Sequence, residues 1–405
     1  MRQLLRVAVR APLCALAVLA ACGGDGTRWA GTMTDSAGVV IVENTGQVPP
    51  DGGGWSIASE PDLAIGAVEG DTAYQFFGIS GAHRTAEGQY VVVNAGNRDV
   101  RVYDARGVFL RSFGRRGGGP EEFEMPLLAG VSHDTLIVVD QVHHRLSMVH
   151  PEAGIVRVAR VADDVGPFLN PVGDFANGEV VFGGALDMER TQFRRGLNRA
   201  STFYRSCDTD GALAADFGQQ PGADFFMERG PGAKPRLVPF GRVPLAAVSP
   251  DRFYFGSQDG WEVAAYDRAG ALVRLIRLDR DPVAVTDEDT RRFIDDMTAD
   301  IPAEYVAQAR EMLSETPVPD VFPPYGALET DALGYLWVAD YSRPGEESSM
   351  WTIFDADGRL SGRVTTPPHL SILEIGADYL LGVYRDELGV EYLHQYAIRR
   401  PGNGG

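Results

Sequence analysis

Residues Phe113–Phe123 read FGRRGGGPEEF, four glycines and a proline set with two arginines and two glutamates between flanking phenylalanines. Such a stretch admits two readings. A phosphate-cradling loop occurs once in a chain, follows a strand, opens a helix and, in its Walker form, ends in Gly-Lys-Ser/Thr. A connector between structural repeats recurs, and strand follows it. Two other stretches have the same build, Ile65–Phe76 (IGAVEGDTAYQF) and Phe217–Phe226 (FGQQPGADFF). Each starts on an apolar residue and glycine, passes a polar turn and ends on an aromatic residue. None has the Walker ending, and β-type sequence follows each, so the connector reading is preferred.

Segments on one template recur along the chain. Each has a polar turn, an alternating apolar strand, a polar loop, a second strand and a hairpin rich in Asp and Gly. They begin near Glu87, His133, Asn177, Asp251, Gly334 and Ala377. Runs such as Tyr90-Val91-Val92-Val93 are β-branched and aromatic. Asp104-Ala105-Arg106-Gly107, Asp210-Gly211, Asp267-Arg268-Ala269-Gly270 and Asp357-Gly358 carry hairpin chemistry. Where nothing intervenes the spacing is about 45 residues, the length of a four-stranded propeller blade.

The unit as a whole, connector, strand, Val-x-Asp, then Val-x-x-Tyr/Phe-Asp-x-x-Gly, resembles the NHL-type six-bladed β-propellers. The resemblance extends over nearly all of Trp55–Arg400, with Tyr335–Asp340 and Val102–Gly107 as its best matches. It departs from the family at Glu121-Glu122, where Gly-Glu is usual, and in insertions within the third to fifth repeats. The fold class implied is all-β, a six-bladed propeller over residues 39–400 followed by a tail, 401–405; a pair of β-sandwiches is the rival. The last repeat has three strand candidates, Ser371–Ile375, Tyr379–Tyr384 and Glu391–Ile398. An open edge invites aggregation. Val39–Asn44 is therefore expected to supply the missing outer strand and close the ring.

The start of the chain reads as an export signal, residues 1–21. Arg2, Arg6 and Arg10 precede a short apolar run, which ends in Leu19-Ala20-Ala21-Cys22. The last four residues resemble a bacterial lipobox. That resemblance implies a diacylated Cys22, a flexible tether over 22–38 and a protein held at the cell envelope by lipid alone. Of three cysteines only Cys207 would then remain free, which leaves no intramolecular disulfide.

The formal net charge is −19, and loss of the three leader arginines would bring it to about −22. Phosphate backbones and anionic bilayers both demand basic surfaces, so nucleic acid and flat membrane binding are excluded.

Thr286–Pro317 breaks the β pattern. Thr286 is placed to cap a helix whose first turn holds Asp287, Glu288 and Asp289, and Pro302 opens a second. This helical insertion, about 286–317, falls between the fourth and fifth repeats and is a candidate lid or partner surface.

Chemical constellations are sparse. No Gly-x-Ser-x-Gly, His-Glu-x-x-His or paired-cysteine pattern occurs, and His143-His144 is expected within a strand, its side chains on opposite faces. Propeller lactonases and lyases hold a metal in the central channel, and Asp174, Glu329 and Glu374 are the channel candidates here, with calcium as the hard cation carboxylates would take. The preferred function is a cofactor-free envelope lipoprotein that binds a protein, peptide or saccharide. The alternative is a channel-metal hydrolase or lyase.

Overall fold

The computed structural model describes residues 29–48, 52–167, 169–183, 193–228 and 234–401. The expected export signal, Cys22, the first part of the expected tether and the tail beyond Pro401 lie outside the described residues.

The strands fall into six sheets. The first comprises Ile79–Arg84, Tyr90–Asn94, Asp99–Tyr103 and Phe109–Phe113, and the second Pro126–Ser132, Thr135–Asp140, Arg145–His150 and Gly154–Arg160, each antiparallel in chain order. The third, fourth and fifth begin at Pro171–Asp174, Leu245–Val248 and Ala327–Thr330, and the sixth at Leu370–Ile375. The first strands of the first five sheets adjoin their neighbours in turn, and the sixth sheet's first strand lies against Ile79–Arg84. The sheets thus stand around a common axis with their first strands innermost, in a propeller-type arrangement. Apolar clusters fill the wedges between them. One joins Val91, Val93 and Val102 of the first sheet to Leu136 and Val138 of the second; another joins Tyr90 and Val92 of the first to Leu381 and Leu393 of the sixth.

Hairpin chemistry recurs at the outer turns. In Asp104–Gly107, Asp208–Gly211, Asp267–Gly270 and Asp355–Gly358 the aspartate Oδ1 accepts the backbone N–H groups two and four residues on. The glycine three residues after each aspartate has φ between 78° and 85°, a region that suits a residue without Cβ.

Phe113–Phe123 joins the first sheet to the second. Several of its donors are spent internally: Gly117 N donates to Phe123 O (3.1 Å), Phe123 N to Arg115 O (2.8 Å) and Gly119 N to Glu122 Oε2 (2.8 Å). The Glu122 carboxylate therefore sits where a phosphate would have to bind. Arg145 of the second sheet fastens the loop through Gly118 O (2.9 Å) and Glu122 O. Ile65–Phe76 is likewise a connector, from the sixth sheet to the first. Phe217–Phe226 is not: it lies inside the long strand Leu213–Met227, paired along Gly196–Cys207.

Ring closure differs from expectation. Val39–Asn44 does not complete the sixth sheet. It pairs in parallel with Leu272–Leu278, the outer strand of the fourth, in register Val40–Arg274 to Asn44–Leu278. Gly31–Ser36, expected within a tether, forms a hairpin with it. The sixth sheet is closed instead by Ser56–Ile57 and Leu63–Ile65, both antiparallel to Glu391–Arg399. The segments 29–48 and 52–65 thus run as a belt. It lies on the fourth sheet, passes the fifth, where a Cβ on Gly52 would come within 2.6 Å of Arg363 O, and ends on the sixth. Trp55 anchors it, buried edge-on to Trp337 at 5.5 Å with the Arg400 guanidinium over its ring. A buried anchor and short strands outweigh the stronger β propensity of Val39–Asn44, because what decides pairing is the surface a strand can cover.

Two helices, α1 (Asp287–Thr298) and α2 (Ala303–Ser314), follow the fourth sheet in the chain and precede the fifth. Thr286 and Asp289 form a reciprocal capping box at the start of α1.

Candidate functional site

The three channel candidates all stand at the ends of first strands. Asp174 is the last residue of Pro171–Asp174, Glu329 the penultimate of Ala327–Thr330 and Glu374 the penultimate of Leu370–Ile375. Because the six sheets share one alternation of strand direction, these ends share one end of the axis.

At that end Glu374 has a partner the sequence reading passed over. His83, penultimate in Ile79–Arg84, brings Nδ1 to 2.8 Å from Glu374 Oε2 and Nε2 to 3.2 Å from Asp134 Oδ1. Glu374 also accepts the Tyr379 hydroxyl, and the Arg84 guanidinium lies 4.8 Å over the Tyr379 ring. Burial works against charge on His83, but Glu374 and then Asp134 outweigh it, and the imidazole pKa is raised. Asp134 reaches its place through a two-residue turn in which His133 and Asp134 both have positive φ, 48° and 59°. The signal for His83 was its register: it occupies in the first sheet the position Glu374 occupies in the sixth.

Asp174 packs on Gly130, where a Cβ would come within 2.5 Å of the Asp174 Cβ, and accepts the Val131 N–H at 3.2 Å. Burial pushes its pKa up to about 7. Glu329 keeps a little solvent contact and has no polar side-chain partner among the described residues, and the protein packed around it raises its pKa to about 7. The three acids are not gathered into one coordination shell, and among the described residues no three His, Cys, Asp or Glu side chains are grouped as a metal requires. Calcium takes six to eight oxygens; the oxygens of Glu374 are already engaged by His83 and Tyr379.

His143-His144 lies in the turn between Thr135–Asp140 and Arg145–His150, not in a strand, with His143 Nδ1 2.8 Å from Asp140 Oδ2. Cys207 is fully buried and its pKa is pushed up to about 12, which keeps the thiol protonated and unreactive.

A second feature lies at the opposite end, where the connectors and the turns between second and third strands gather. A cleft of about 1170 Å³ opens at the root of the helical pair, lined by the chain entering it (Arg280–Val283), the chain leaving it (Pro317–Pro324) and the turns at Gln258–Trp261 and Asp340–Arg343. Its apolar wall includes Phe240, which meets Phe293 of α1 and Phe322 edge-on, each at 5.1 Å. Val318 and Val321 expose 36% and 43% of their surface there. Two arginine–aspartate clamps stiffen the polar walls: Asp259 holds Arg199 and Arg242, and Asp340 holds Arg280 and Arg363. Arg343 ties the turn to α1 through Asp289 at 2.9 Å. Only the helical insertion pointed to this region in the sequence; the lining residues come from three sheets.

No family model and no curated protein matches the chain. Among solved structures it is similar to a member of the DUF4221 family from Bacteroides vulgatus (12% identity, 86% of this chain and 99% of that one, TM-score 0.49). It is also similar to a putative exported protein from Bacteroides fragilis (8% identity, 89% and 99%, TM-score 0.48). A gluconolactonase from Xanthomonas campestris aligns at 15% identity over 84% of this chain and 99% of that one, with a TM-score of 0.37.

Proposed function

We propose that this chain is an exported, lipid-anchored protein whose six sheets act as the blades of a propeller, and that it binds a protein, peptide or saccharide partner at the cell envelope. The cleft at the root of the helical pair carries this reading. Concave, largely apolar sites with a few fixed polar groups are the usual form of a binding site, and loops on a rigid scaffold are where recognition is placed. The lipobox-like Leu19–Cys22 supports the anchor. Among the described residues no helix is long and apolar enough to cross a membrane. The alternative, a channel enzyme with a divalent metal on Asp174, Glu329 and Glu374, finds less support, since those acids do not converge.

The test pairs two variants. Val318→Asp/Val321→Asp alters exposed cleft positions and should leave thermal unfolding unchanged while abolishing capture of the partner that the tagged parent retains from envelope extract. Asp174→Asn/Glu329→Gln/Glu374→Gln should leave capture intact. A tight calcium site in the parent, seen by calorimetry and abolished in the triple amide variant, would overturn the binding reading in favour of the channel enzyme.

A further inference from the structure

We infer that the occupant of the cleft is a cationic peptide segment, a stretch of chain carrying lysine or arginine. The inference rests on the cleft being the binding site, and three observations carry it.

Size comes first: about 1170 Å³ exceeds the 300–1,000 Å³ typical of small-molecule pockets and suits a length of chain. The second observation is how the charges are disposed. Each lining arginine is already engaged by its own wall. Arg242 is held by Asp224 (2.8 Å) and Asp259, and Arg199 spends Nε on Gly222 O (3.1 Å) and its two other nitrogens on Asp259 and Ser257 O. Arg280 is bidentate on Asp340, and Arg343 gives one nitrogen to Asp289 while its Nε stays unpartnered. The acids in no salt bridge with an arginine or lysine among the described residues are Asp281, Glu346 and Glu347, all exposed at the rim, with Glu346 Oε2 accepting only the Arg343 backbone N–H (2.9 Å). Glu347 has only His369 Nε2 at 3.6 Å. With four arginines and six acids in the lining the cleft carries net negative charge, on a chain of net charge −19 that attracts cations at long range.

The third observation is aromatic. Tyr341, half-buried in the lining, packs 5.3 Å from the buried Phe322, over whose ring the Arg343 guanidinium stands at 5.6 Å. The accessible part of the Tyr341 ring offers a ligand's cation the same kind of contact. An anionic ligand would meet a lining in which acids outnumber arginines, six to four.

Fluorescence anisotropy of a labelled short peptide alternating lysine with leucine and alanine tests this, alongside its glutamate counterpart and a neutral glucan oligosaccharide. The lysine peptide should bind, lose affinity as salt rises, and bind roughly tenfold more weakly to Asp281→Asn/Glu346→Gln/Glu347→Gln, three exposed changes that leave the core untouched. The glutamate peptide should not bind. The inference is overturned if the lysine peptide fails to bind, if its affinity is the same in the triple variant, or if the glutamate peptide binds equally well. Binding of the oligosaccharide or the acidic peptide that is lost in Val318→Asp/Val321→Asp would keep the cleft as the binding site while removing the cationic assignment.

Discussion

His83 Nδ1 lies 2.8 Å from Glu374 Oε2, across 291 positions of sequence, and joins the first sheet to the last. The same ring reaches Asp134 of the second sheet through Nε2. One imidazole thus spans the seam at which the chain closes on itself, with only 15% of its side chain exposed.

His83→Gln should destabilise the fold by about 1.5–3 kcal/mol near pH 6, the range for hydrogen bonds to charged groups. The pH dependence follows from the raised imidazole pKa. In the unfolded chain the histidine titrates near its ordinary value, so the charged network contributes fully below about pH 6.5 and its contribution is lost as pH rises through the folded value. Urea unfolding of parent and variant should show a gap that is widest near pH 6 and narrows by pH 9. A gap independent of pH would mean His83 acts by packing alone.

Asp174 and Glu329 have the opposite consequence. Both pKa values are raised to about 7, so the folded state binds protons more tightly than the unfolded one, and stability falls as pH climbs from about 4 to 7. Asp174→Asn keeps an acceptor for Val131 N–H and removes the charge. After allowance for residual solvent along the axis it should gain about 1–2 kcal/mol at pH 8 and almost nothing at pH 4. Thermal unfolding at the two pH values decides it, and a variant less stable than the parent at pH 8 would show that the ionised carboxylate is needed. Glu329→Gln should behave alike.

The belt predicts where damage spreads. Asn44 accepts from Trp29 Nε1 (2.7 Å) and Leu360 N (2.8 Å) and donates to Arg277 O (3.0 Å) and Gly358 O (3.1 Å), linking the N-terminal hairpin to the fourth and fifth sheets. Its replacement by alanine should cost about 2–3 kcal/mol by leaving buried groups unpaired. Deleting Val39–Asn44 should raise hydrogen exchange along Leu272–Leu278 while Glu391–Arg399 stays protected. Loss of protection at Glu391–Arg399 instead would return the segment to the sixth sheet.

The proposed anchor has its own test. Cys22→Ser should shift the protein from the membrane fraction to the soluble one after detergent phase separation. Unchanged partitioning of the variant would remove the lipid from the account.

Local order was open to reading from sequence alone. Turn chemistry such as Asp104–Gly107 needs only neighbouring atoms, and the alternation of Tyr90–Asn94 or Leu336–Ala339 states which residues must be buried. Thr286, followed by three acids, marks the start of α1 in the same way. Even the placing of Asp174, Glu329 and Glu374 at the ends of inner strands follows from counting repeats. What tertiary structure decided is which distant surfaces meet. Val39–Asn44 could have covered either open edge on propensity, and the buried fit of Trp55 against Trp337 committed the sixth sheet to shorter strands. His83 has no sequence neighbour that marks it; its role exists only because the ring brings residue 374 back to residue 83. The cleft is likewise invisible along the chain, since its free negative charge depends on which arginines the folded walls have already neutralised.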